Sequence, residues 1–198
     1  LSAEINVYNL NSEKILSKKH DVAIDKYSSI KIMDLKEIKD ITSVYFVNAV
    51  LKNSSNEMVA DNFYWLTTTR DVLNTEDDTW YATSNKAYAD LTSLLVLKNK
   101  PININSSYEI IRDGDYAEVK VTLKNPNNKI AFFIEMKFLD KASNSSVLPV
   151  FWSDNYLSLL PDETKEVSVK ISTKELDSDN FQISLSGINV NNQVVTKK

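Results

Sequence analysis

Apolar and polar residues alternate with a period of two along most of this chain. Leu1, Ala3, Ile5 and Val7 alternate with Ser2, Glu4 and Asn6. Ala117, Val119, Val121 and Leu123 alternate with Glu118, Lys120 and Thr122. Val167, Val169 and Ile171 form a third set, Phe181, Ile183 and Leu185 a fourth, and Phe132, Ile134, Met136 and Phe138 a fifth. Successive side chains of a strand point to opposite faces, so each set lines one face and suits the core of a sandwich. The pattern predicts strands near 1–8, 15–24, 28–33, 42–52, 57–66, 102–111, 115–124, 130–139, 147–152, 165–172, 180–187 and 193–196. Short strands at this spacing, with turn residues between them, argue for an all-β fold built of sandwiches. Helical periodicity is weak. Its best candidate is Lys86 to Leu95, and Asp34 to Asp40 reads as a corner between strands.

The alternation breaks between Thr67 and Lys100, where Asn74-Thr75-Glu76-Asp77-Asp78 is polar and turn-like. This break predicts two domains, residues 1–98 and 99–198. The connector also holds Trp80, Tyr81, Tyr88, Leu91, Leu94, Leu95 and Leu97. A purely polar connector floats, whereas these apolar anchors predict that the two sandwiches keep a defined relation.

A length of 198 residues suits two domains of ordinary size. The net charge of −4 is spread over well-mixed acids and bases, leaving no basic face for nucleic acid. No apolar run is long enough for a membrane span. The absence of cysteine removes disulfides, thiolate metal sites and cysteine nucleophiles together. Only two glycines occur, so no phosphate-cradling loop is possible and no nucleotide cofactor is expected. Asparagine, with 21 residues, is expected to make many of the turns, because it tolerates positive φ. Leu1 opens directly in a strand-like pattern without Met, so the chain reads as a piece of a longer one.

Candidate chemistry is sparse. His20, the single histidine, sits between lysines and Asp21 and reads as a surface residue. Asp113-Gly114-Asp115 reads as a tight turn rather than half of a calcium loop, whose distal Glu is missing. A catalytic (β/α)8 barrel needs about 250 residues of repeated βα units, which this pattern does not contain. Asn53-Ser54-Ser55, Asn105-Ser106-Ser107 and Asn144-Ser145-Ser146 fit the glycosylation pattern by composition alone. Two aromatic clusters stand out. In Asp61 to Leu66, Phe63 and Trp65 face one way and Asn62, Tyr64 and Leu66 the other, which suits core and inter-domain packing. The run Phe151-Trp152-Ser153-Asp154-Asn155-Tyr156 lies between Pro149 and Pro161. It reads as a structural corner or a docking face, and alternatively as a sugar contact, since aromatic rings stack on sugars and Asp or Asn can bond hydroxyls.

Four segments resemble, in order, the C-terminal region of glycoside hydrolases of family 2, of the β-mannosidase and exo-β-glucosaminidase type. They are Asn62 to Leu66; Trp80-Tyr81 with Ala89-Asp90-Leu91; Asn125-Pro126 with Ala131-Phe132-Phe133; and Leu148 to Tyr156 continuing to Leu159-Leu160-Pro161. Gly187-Ile188-Asn189-Val190 is similar to a closing pattern there, with Ile188 in place of an aromatic, and Pro161-Asp162-Glu163 stands where the family carries Pro-Gly-Glu. The resemblance implies two immunoglobulin-like β-sandwiches in tandem, the first lacking its opening strand or strands. It implies a non-catalytic tail that braces the catalytic barrel of its parent enzyme and walls one side of the sugar site. The parent would be exo-acting and retaining, in a periplasmic or secreted setting, and its catalytic glutamates would lie in the barrel. The candidate docking or sugar-contact surface comprises Phe151, Trp152, Asp154, Asn155, Tyr156, Trp65 and Trp80. The rival expectations are an independent module that binds a glycan, and an interaction module that forms a homodimer through an open edge strand.

Overall fold

The computed structural model describes residues 1–35, 38–174, 176 and 180–198, with Asp113 described by its backbone. The chain forms two compact units, residues 1–94 and 95–198.

In the first unit the strands are β1 (Ser2–Asn9), β2 (Lys14–Asp21), β3 (Val44–Lys52) and β4 (Met58–Thr67). They pair antiparallel in the order β2-β1-β3-β4. Val7, Tyr45 and Val47 form a buried cluster on one face, and Leu35, Ile38 and Ile41 pack onto it from the β2–β3 connection. Two turns of this sheet are built alike. Asn9 Oδ1 accepts the Asn11 and Glu13 amides, and Asn9 Nδ2 donates to the Glu13 carboxylate at 2.6 Å. Asn53 does the same with Ser55, Glu57 and the Glu57 carboxylate. The fourth residue of each turn takes a left-handed backbone, Ser12 at φ 68° and Asn56 at φ 63°. A two-stranded ribbon, β5 (Val72–Leu73) and β6 (Asn85–Ala87), follows the sheet.

The second unit opens with a short helix, α1 (Leu95–Lys98), and is a sandwich. Its further strands are β7 (Asn105–Asp113), β8 (Tyr116–Lys124), β9 (Ala131–Asp140), β10 (Phe151–Trp152), β11 (Leu157–Leu159), β12 (Thr164–Ser172), β13 (Phe181–Ser186), β14 (Gln193–Val194) and β15 (Thr196–Lys197). One sheet runs β10-β12-β8-β7-β15 and the other β11-β9-β13-β14. The apolar faces expected on β8, β9, β12 and β13 all turn inward: Val119, Val121, Ile134, Met136, Val169 and Ile183 belong to one buried cluster. Each such side chain contributes about 1.5–3 kcal/mol by leaving water.

Buried asparagines tie the parts of this sandwich together. Asn125, at the end of β8, donates from Nδ2 to the carbonyls of Lys129, Leu159 and Leu160. Asn189 takes the place of a neighbouring strand beside β9: its Oδ1 accepts the Phe132 amide and its Nδ2 donates to the Ile130 carbonyl, each at 2.8 Å. A Cβ on Gly187 would stand 2.9 Å from the Phe132 oxygen, so this close approach of two backbones requires glycine.

Three local expectations change. Residues 28–33 form no strand, and Ile30 is exposed. The strand expected at 147–152 contracts to Phe151–Trp152, with a single bridge from Ser146 to Leu139 before it. The helix expected over 86–95 falls later, as a 3-10 turn at Thr92–Leu94 followed by α1; β6 occupies its intended start. Within the expected corner 34–40, Lys36 and Glu37 lie outside the described residues, as does the Asp113 side chain on which a calcium reading would rest. The backbone at that point is a tight turn, with Gly114 at φ 58° between the paired residues Asp113 and Tyr116.

Candidate functional site

The run from Phe151 to Leu159 leaves one sheet and joins the other. Phe151 and Trp152 pair with Lys170 and Val169 of β12. Ser153 extends this pairing, donating its amide to the Ser168 carbonyl and accepting the Ser168 amide on Oγ. Adjacent strand residues face opposite ways. Trp152 therefore packs against the sandwich core, and Phe151, 66% exposed, points away from it. Asp154 meets Lys165 at 3.8 Å, a surface pair of little energetic weight.

Asn155 and Tyr156 make the transfer to β9. Asn155 Oδ1 accepts the Met136 amide at 2.8 Å, and Nδ2 donates to the Met136 carbonyl at 3.0 Å. The side chain thus fills a gap in the ladder before Leu157 pairs with Ile134. Tyr156 takes φ 58°, and its ring lies 5.5 Å from that of Phe133, itself at φ 57°. The Tyr156 hydroxyl donates to Glu135 Oε1 at 2.8 Å, and Lys137 Nζ reaches Glu135 Oε2 at 3.0 Å. The Lys137 ammonium, with the Tyr156 hydroxyl behind it, holds the Glu135 carboxyl below its usual range. The same carboxylate grips the Tyr156 proton and pushes that phenol up.

In the first unit, Trp65 lies on edge strand β4 and is 37% exposed, while Phe63 stacks on Phe46 at 5.6 Å. Trp80 and Tyr81 occupy the centre of a turn closed by the Thr79 amide on the Ala82 carbonyl. The two rings meet edge to face at 5.2 Å. Trp80 is 95% exposed, and Tyr81 and Tyr88 are 73% exposed each. Of the apolar anchors foreseen in the connector, Trp80, Tyr81 and Tyr88 are displayed on the surface of this unit, whereas Leu94 is buried. His20 is half-buried on β2.

The seven expected site residues therefore do not share one role. Phe151 and Tyr156 present rings to solvent, Trp152 and Asn155 serve the fold, and Trp80 tops a separate turn. Sequence reasoning did not count Phe133, Glu135 and Lys137 among the site residues, although Phe133 stands in one of the segments that carry the resemblance. They are the outward complement of the Phe132-to-Phe138 alternation, and that alternation was the signal for them. Among the described residues, no group of three or more His, Asp or Glu side chains is placed to hold a metal ion. Among the described residues, no helix is long and apolar enough to cross a membrane.

Comparison with known proteins places this arrangement. Residues 80–190 match the exo-beta-D-glucosaminidase Ig-fold domain, and residues 1–71 match the mannosidase Ig/CBM-like domain. The exo-beta-D-glucosaminidase of Amycolatopsis orientalis is 32% identical over 98% of this chain, which spans 19% of that enzyme. The exo-beta-D-glucosaminidase of Arthroderma benhamiae is 29% identical over 98% of this chain and 21% of its own length. The crystal structure of the Amycolatopsis orientalis exo-chitosanase superposes with a TM-score of 0.83 at 28% identity, covering 98% of this chain and 23% of that one. This chain therefore spans about a fifth of the length of the curated relatives it matches. The expected all-β architecture of tandem immunoglobulin-like domains stands, and the chain belongs to the family of exo-beta-D-glucosaminidase Ig-fold domains.

Proposed function

We propose that this chain is the non-catalytic, C-terminal accessory region of a family 2 glycoside hydrolase. The parent enzyme is exo-acting and retaining, and removes terminal β-linked glucosamine. The observation that carries this reading is the near-complete match of the chain to a fifth of several exo-beta-D-glucosaminidases. A barrel of about 250 residues carries the two carboxylates of such a reaction. The accessory region braces that barrel and walls one side of the sugar site. Its docking element is the Trp80–Tyr81 turn together with Tyr88, because aromatic rings so fully exposed in one unit are the usual anchors of an interface.

The coding sequence upstream of Leu1 tests the reading directly. A barrel-sized βα region with two suitably placed glutamates supports it; a stop or an unrelated module there overturns it. The docking element has its own test. In the longer enzyme, Trp80→Ala with Tyr81→Ala lowers the thermal midpoint or the rate of glucosaminide hydrolysis. The same pair leaves the stability of the present chain unchanged, since neither ring is covered within it. Unaltered stability and rate in the longer enzyme would remove the turn from the interface.

A further inference from the structure

The outer face of the β11-β9-β13-β14 sheet carries a row of groups that neither family match assigns. Phe133 and Tyr156 both hold a left-handed backbone, a conformation bulky side chains seldom take. It sets their rings side by side at 5.5 Å. Tyr156 is fixed from three directions: its amide donates to Asn155, its ring leans on Phe133, and its hydroxyl donates to Glu135. The ring nevertheless remains 51% exposed. A ring held this way offers a flat apolar surface with little freedom left to lose on binding.

Polar groups continue from the ring along the same face. Glu135 and Lys137, paired at 3.0 Å, place an acceptor and a donor next to it. Lys137 then lines a shallow depression of about 500 Å³ that also includes Asn144, Gln182, Ser184, Asn192 and Gln193. Lys137 and Ser184 are direct partners across the β9–β13 ladder, so the depression begins where the ion pair ends. Gln182 Nε2 donates to Asn144 Oδ1 at 3.1 Å, which aligns two amides on its floor. The order is aromatic ring, balanced charge pair, then amides and hydroxyls interleaved with Leu139 and Val194.

A pyranose ring divides its surface in the same way, with an apolar C–H face and a rim of hydroxyl donors and acceptors. Nucleic acid would need excess positive charge, and Lys137 is already matched by Glu135. We propose that this face binds a short oligosaccharide, with one sugar stacked on Tyr156 and the next reaching the amides of the depression. The inference goes beyond the accessory role, and it rests on the second unit's own residues whether or not a catalytic region adjoins the chain.

Titration of the present chain, uniformly labelled with nitrogen-15, with a glucosamine trisaccharide and separately with a neutral glucose trisaccharide is the test. We expect saturable amide shift changes for at least one sugar, centred on Phe133 to Lys137, Tyr156 and Ser184. Tyr156→Ala weakens binding roughly tenfold or more, while Trp80→Ala leaves it unchanged. Preference for the amine-bearing sugar means that Glu135 reads its ammonium; equal binding means that the ring and amides dominate. Absence of saturation with both sugars, or shift changes centred elsewhere, overturns the proposal. Shift mapping needs no variant, so the outcome does not depend on Tyr156→Ala folding. Failure here leaves the upstream coding sequence, and hence the accessory reading, untouched.

Discussion

Asn125 has no solvent exposure, yet it serves three carbonyls, and its own Oδ1 accepts from the Asn127 amide. Replacing it with alanine leaves those groups in a site that water reaches poorly. A buried polar group without a partner costs about 1–3 kcal/mol, so Asn125→Ala should destabilise the second unit by about 2–4 kcal/mol. Urea unfolding would register this as a lower midpoint. A loss below about 0.5 kcal/mol would mean that the carbonyls find other donors. The amide is needed at both ends: aspartate keeps the acceptor for Asn127 and loses the donor to Leu159 and Leu160, so Asn125→Asp should rescue little.

The two Asn-x-x-x-Glu turns are the same device used twice, at Asn9 to Glu13 and at Asn53 to Glu57. They differ at the left-handed position, where one has Ser12 and the other Asn56. Serine has no special tolerance of that backbone, so Ser12→Gly should stabilise the first unit by about 0.5–1 kcal/mol, read as a raised urea midpoint. An unchanged or lower midpoint would show that the Ser12 side chain contributes more than the strain it bears. The abundance of asparagine pointed to turns, but chiefly through side-chain bonds such as those of Asn9 and Asn53, since Asn56 and Asn144 are the asparagines among the positive-φ residues described; period-two alternation located nearly every long strand of the sandwich. The alternation is legible because both faces of a half-buried strand leave a mark. It misled at Ile30 to Met33, where alternating apolar residues lie outside any ladder. It also failed at 147–150, where Pro149 has no amide to give a ladder. The site was legible only as a cluster. That Trp152 faces inward and Tyr156 outward depends on Asn155 standing in for backbone and on a left-handed turn, and neither has a periodic signature.

Across the molecule several carboxylates are held below their usual range. Glu4 receives the Asn6 amide and pairs with Lys52; Glu135 is held by Lys137 and Tyr156; Asp140 accepts the Ser143 amide and hydroxyl. In each case the unfolded chain takes up the proton first as pH falls. The stability they contribute is complete above the ordinary carboxylate range and is lost as pH drops through the lower folded values. The urea midpoint should therefore fall between about pH 5 and pH 3, and less steeply in Glu135→Gln. An identical slope in that variant would show that Glu135 carries none of the effect. Light offers a separate view of the same molecule. The Trp80 indole stands in water, so it emits at long wavelength and a dissolved quencher reaches it, whereas Trp152, lodged against the core, emits nearer the blue. With Trp65, the third and partly exposed indole, replaced by phenylalanine, colour separates two events: unfolding of the sandwich reddens one component, and anything that settles over the Trp80–Tyr81 turn shifts the other to the blue.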